Sequence, residues 1–86
     1  MKKLKALIRA QTHHSDLVFK EVHLERGDLV STEFYDCEFV SCNFVETVFQ
    51  KCRFVNCVFQ HCDLSLMRVP DSTFSSTRFE DSKVIG

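Results

Sequence analysis

Eighty-six residues leave room for a single domain. Hydrophobic residues at 44% and charged residues at 27% exclude a disordered chain, and a net charge of −1 excludes a generally basic nucleic-acid binder. Two glycines and one proline supply almost none of the turn punctuation that a hairpin-rich sandwich or barrel needs.

In chain order, the first segment carries Leu4, Leu7 and Ile8 at helical spacing, with Lys2, Lys3, Lys5 and Arg9 on the other side. This pattern predicts a short amphipathic helix over residues 2–11, which would cap the remainder of the domain; a membrane anchor is the weaker reading of so narrow a stripe. There is no unbroken apolar run of secretory-signal or membrane-span length. Five cysteines, an odd number, are read as free buried thiols in a reducing cytoplasm. The domain boundary falls after residue 12, with the capping helix in 1–12 and the repeat in 13–86.

Beyond residue 16 a period of five takes over. All nine phenylalanines share one phase: Phe19, Phe34, Phe39, Phe44, Phe49, Phe54, Phe59, Phe74 and Phe79. Random phasing would give this about once in several hundred thousand sequences, so a structural repeat is required. Leu24, Leu29, Leu64, Val69 and Val84 complete the phase, and every fifth residue from 19 to 84 is apolar. Two places earlier lies a phase of mostly small residues that contains all five cysteines: Cys37, Cys42, Cys52, Cys57 and Cys62.

Helix and flat strand both fail this pattern. A five-residue step rotates a helix by about 140° and scatters the phenylalanines, and an odd step along a strand sends them to alternate faces. A short extended side followed by a corner succeeds. The central residue and the one two places before it point inward, the residue between them points out, and four sides close a square coil. Residues twenty apart then stack at the strand spacing of about 4.8 Å.

Units such as Thr32-Glu33-Phe34-Tyr35-Asp36, Cys37-Glu38-Phe39-Val40-Ser41, Cys42-Asn43-Phe44-Val45-Glu46 and Cys57-Val58-Phe59-Gln60-His61 resemble the pentapeptide-repeat proteins. The resemblance covers residues 17–86 and implies an all-β fold, a right-handed quadrilateral β-helix of about 3.5 coils. Gly27 leaves the small-residue slot empty and Met67 overfills it, so irregularity is expected near both. Leu17 and Val22 are also large for it, as befits a terminal coil. His14 breaks the apolar phase, so the regular coil is expected to begin after it, with His13 and His14 at the junction.

The sequence offers no catalytic, cofactor-binding or metal-binding constellation. Cys37 should stack on Cys57 and Cys42 on Cys62, a spacing unlike the close pairs of zinc sites and poorly aimed for disulfides. His23 and His61 fall on outward positions. Outward apolar residues are more informative. Val30 and Val48 share one face with Pro70; Val45, Leu66 and Ile85 share another; Tyr35 and Val55 share a third. Strand propensity explains such residues singly, but Val30, Val48, Tyr35 and Val55 are candidates for a docking patch.

The repeat is still in register at its last pentad. Self-association through the C-terminal coil, giving a homodimer, is therefore expected, unless the chain is a shortened piece of a longer tower. Charge is uneven: residues 1–12 carry +4, residues 13–46 carry −6 and residues 47–86 carry +1. The resemblance implies one specific alternative, since some pentapeptide-repeat proteins mimic duplex DNA, engage gyrase and protect against quinolones. The preferred expectation is a non-enzymatic cytoplasmic scaffold for an unknown protein partner, with no direct nucleic-acid or membrane contact.

Overall fold

A computed structural model describes residues 12–85 of the chain. The expected capping helix lies outside these residues.

Among the described residues there are ten strands, each three residues long. They are β1 (His13–Ser15), β2 (Val18–Lys20), β3 (Asp28–Val30), β4 (Glu33–Tyr35), β5 (Glu38–Val40), β6 (Val48–Gln50), β7 (Arg53–Val55), β8 (Val58–Gln60), β9 (Thr73–Ser75) and β10 (Arg78–Glu80). All pairings are parallel and join residues twenty apart, as His14↔Phe34, Phe34↔Phe54 and Phe54↔Phe74 illustrate. The first face is β1-β4-β7-β9, the second is β2-β5-β8-β10, and the fourth is β3-β6. On the third face the ladder thins to single bridges, His23↔Asn43, Asn43↔Asp63 and Asp63↔Lys83. Four faces wound in this register make the square β-solenoid of the sequence argument, with between three and four coils described.

The corners explain how the chain turns without glycine. Every fifth residue from Asp16 to Asp81 has positive φ, between 47° and 57°, and none is glycine. Left-handed backbone is unfavourable for side chains with a Cβ, least so for Asp and Asn. At eleven of these fourteen corners a bond to the next coil holds it in place: the Asp36 N–H donates to the Val55 carbonyl at 3.0 Å, and the Lys51 N–H to the Pro70 carbonyl at 2.9 Å. At Leu24, Phe44, Leu64 and Val69 the corner also closes locally. The carbonyl accepts from the N–H three residues on, and the third residue of the turn has positive φ, the pattern of a type II turn.

The core is a set of aromatic columns. Phe19, Phe39, Phe59 and Phe79 stack nearly parallel, with centroids 5.2, 4.5 and 5.0 Å apart. Phe34, Phe54 and Phe74 do the same at 4.9 and 4.7 Å. Around each coil the rings meet edge to face, as Phe34–Phe39 does at 5.2 Å and 74°. Both geometries suit the ring quadrupole, and a coil spacing near 4.8 Å produces the first automatically.

Two expectations need correction. The regular coil does not begin after His14. Strand β1 pairs with β4, and the His14 ring is 1% exposed, lying 5.0 Å over Phe34 at an interplanar angle of 13°. A flat ring of similar footprint fills the aromatic slot whatever its polarity, so residues 12–16 are a pentad like the others. Gly27 also leaves no irregularity, because its N–H closes the turn to the Leu24 carbonyl at 2.8 Å and β3 starts at the next residue. The disturbance expected at Met67 is present. Beyond it the fourth face has only the bridge Val48↔Arg68, and Val69 is half-buried.

Candidate functional site

The small-residue slot has a function in the frame that its size alone does not reveal. From residue 37 to 82, nine of the ten side chains at this position donate to the carbonyl of a central residue one coil below. Thr47 Oγ1 reaches the Leu24 carbonyl at 2.7 Å and Ser72 Oγ the Phe49 carbonyl at 2.6 Å. The five thiols make the same contact at 3.2–3.6 Å, and Thr77 and Ser82 follow. The slot therefore selects a small donor, which explains why Cys, Ser and Thr interchange in it. Met67 is the exception, having no proton to donate.

All five cysteines are free and buried. The Cys57 thiol, against Cys37, and the Cys42 thiol, against Cys62, are pushed above the ordinary thiol range by that contact and then by burial. Burial raises Cys52 as well. Their partners Cys37 and Cys62 are drawn down to about 7 by the same contacts; the three raised thiols, protonated and donating to carbonyls, are poor nucleophiles and poor metal ligands. Among the described residues no three His, Cys, Asp or Glu side chains converge to hold a metal ion, and no helix is long and apolar enough to cross a membrane.

The outward side chains form the walls. Tyr35 and Val55 are register partners and form a true column on the first face. The Tyr35 hydroxyl donates to Glu33 at 3.1 Å, and its ring lies 5.1 Å from His13. The bond to Glu33, followed by partial desolvation and that residue's charge, raises the tyrosine pKa. Val30 and Val48 share the fourth face but not a column: Val30 lies beside Gln50, and Val48 between Asp28 and Arg68. The four residues thus make one column and two separate side chains on adjacent faces.

Wall charges are paired from coil to coil. His13 Nδ1 lies 3.7 Å from Glu33 and Arg26 Nη1 3.4 Å from Glu46, while within one strand Arg78 Nε lies 3.5 Å from Glu80. Asp16 and Asp36 share a corner column, continued by Asn56, whose amide donates to Asp36 at 2.5 Å. The acidic zone of the sequence is accordingly wrapped around several faces.

At the corner between the third and fourth faces a cavity of about 400 Å³ is lined by Arg26, Glu46, Val48, Leu66, Met67 and Arg68. Of these, only Val48 and Leu66 stand out in the sequence as outward apolar residues. The signal for the rest is the coil period itself, because Arg26, Glu46 and Leu66 are spaced by twenty, as are Val48 and Arg68.

The family model described as a pentapeptide repeat region matches residues 32–86. No curated protein matches the chain.

Proposed function

The chain belongs to the pentapeptide-repeat family, and from that membership we propose that it is a non-enzymatic cytoplasmic scaffold whose flat walls hold protein partners and whose C-terminal coil joins a second copy. Membership supports the general reading, a repeat protein suited to interaction. The frame supports it further: the backbone of the walls is fixed by coil-to-coil bonds, so little backbone order is lost when a partner docks.

One observation carries the self-association. In the second face's column Phe59 is 1% exposed, but Phe79, its partner one coil on, is 39% exposed. Val84 and Ile85 are exposed beside it. An apolar core end of this kind is a template for pairing. A two-fold contact through it is self-complementary and closes at two copies. Light scattering of the 86-residue chain should give twice 10.0 kDa; a monomer at high concentration would overturn this part of the proposal.

The gyrase alternative makes a separate demand, a continuous negative field along a rod. Coil-to-coil pairing of Glu46 with Arg26 works against such a field. A supercoiling assay with and without a quinolone separates the readings, and protection of gyrase at excess protein would favour the DNA mimic.

A further inference from the structure

We propose that the corner groove formed by Arg26, Glu46, Val48, Leu66, Met67 and Arg68 is a docking site for a short extended peptide that carries an acidic residue beside a bulky apolar one. The inference rests on the scaffold reading above and names where a partner binds and what chemistry it presents.

The first observation is a residue the frame does not need. Fourteen non-glycine corners have positive φ, and thirteen are Asp, Glu, Asn, Ser, Lys, Arg or His. Leu66 alone is apolar, with φ of 57° and 54% of its surface exposed. An apolar γ-branched side chain gains nothing from water there and has none of the local hydrogen bonding that lets Asp or Asn tolerate this backbone.

The second observation is its neighbour. Met67 is the one side chain from 37 to 82 that breaks the donor rule of the small-residue slot, leaving the Phe44 carbonyl with the Thr47 N–H at 3.1 Å. Thr47, one coil below Met67, gives the Leu24 carbonyl a hydroxyl in addition to the N–H it receives from Gly27. Two consecutive positions thus depart from the repeat, and both depart toward exposed or half-exposed apolar surface. With Val48 they form the apolar part of the groove.

Charge sets the rest. Arg26 is engaged by Glu46 at 3.4 Å. Among the described residues no carboxylate lies within ion-pair distance of Arg68, which is exposed at the groove's edge. The site therefore holds two guanidiniums and one carboxylate, and the unengaged guanidinium can take a carboxylate through two parallel N–H bonds. A cavity of about 400 Å³ admits a few side chains and is too small for a domain surface, and pockets of this order suit compact ligands. Arg26 and Leu66 are two coil spacings apart, about 9.6 Å, the reach of about three residues of extended chain. An acid on Arg68 with an apolar side chain on Leu66 and Met67 satisfies both halves of the groove.

The test is selection from a random short-peptide phage library on the intact chain, with the double variant Leu66→Ser/Arg68→Glu as counter-screen. Both side chains are exposed, so the variant should melt as the native chain does. Enriched peptides should carry Asp or Glu within two places of Leu, Ile, Phe or Met, and should bind the variant about tenfold more weakly or worse, as expected for one charge-assisted bond. Replacing the peptide's acid by Lys should restore binding to Arg68→Glu. Peptides that bind native and variant chains equally would overturn the groove and leave the scaffold standing. Enrichment without any acid would overturn the charge argument. A native dimer that the double variant converts to monomer would assign the groove to a second copy and overturn the peptide. A library yielding no binder would overturn the groove and leave standing the scaffold, whose flat walls suit folded partners.

Discussion

The middle coils and the last coil obey the same local rules and end in different states. Phe54 and Phe59 are sealed between rings above and below, whereas Phe74 and Phe79, in the same columns, register and strand lengths, are partly open. Slot donors work equally well in both regions, since Cys57 reaches Phe34 at 3.4 Å and Thr77 reaches Phe54 at 3.2 Å. The pentad therefore fixes which way a side chain points, and burial comes from the coil stacked on it. Stability in such an array is a sum over coil-to-coil interfaces, weakest where one interface is missing.

The sharpest way to break this picture is to place a charge in a middle column. Phe54→Asp buries a carboxylate among rings with no partner, a penalty larger than the whole stability of a small domain. Circular dichroism should show no cooperative melt. Native melting of this variant would mean that the phenylalanine phase does not face inward.

A graded contrast comes from one column. Phe59→Ala should cost about 3–5 kcal/mol, as full aromatic truncations in cores do, and Phe79→Ala about 1–2 kcal/mol because part of its ring is already in water. Urea unfolding of both variants measures the difference. If Phe79→Ala proves as costly as Phe59→Ala, and its cost depends on protein concentration, then a second copy covers the last coil in solution.

Alkaline pH tests the middle coils again, through their thiols. Burial holds Cys52 above the ordinary thiol value of 9.0 in the folded chain, clear of the stacked pairs Cys37–Cys57 and Cys42–Cys62, in each of which one thiol is pushed up and the other drawn down to about 7. Unfolded thiols ionise near the ordinary value, so above it the unfolded state holds fewer protons than the folded one and stability falls. For Cys52 the contribution is whole below about pH 8.5 and declines beyond it. Between about pH 8.5 and 10 the urea midpoint of the native chain should fall more steeply than that of Cys52→Ser. Identical slopes for the two chains would mean that Cys52 is not held as a buried donor.

Much of this architecture is legible in the sequence, because one number, the period of five, determines side direction, coil length and register together. The stacking of Phe39 on Phe59 and of Cys37 under Cys57 follows from it without further information. His14 is hidden because a pattern scored by polarity rejects a residue that the slot accepts by shape. The donor role of the cysteines is hidden because the carbonyl each one meets is twenty-three residues away and belongs to the backbone, which sequence patterns do not display. The groove escapes a linear reading for a different reason. Its residues are ordinary one by one, and only folding the chain at twenty residues per coil brings Arg26, Glu46 and Leu66 into one column.

The smallest predicted effect separates frame from recognition at a single position. Met67→Thr repeats the residue one coil below it and supplies the slot with a donor for the Phe44 carbonyl. That carbonyl already has the Thr47 N–H at 3.1 Å, so the added bond should contribute less than the usual ~1 kcal/mol. The lost methionine packing removes a comparable amount, since Met67 is only half-buried against the core. Urea unfolding should accordingly move by about 0.5 kcal/mol or less in either direction. Peptide binding at the corner should fall clearly, because the thioether supplies part of the apolar wall. A loss of about 2 kcal/mol or more would instead make Met67 a core residue and leave its break from the donor rule as a packing substitution. Unchanged stability together with lost peptide binding would place the contribution of Met67 in the groove rather than in the frame.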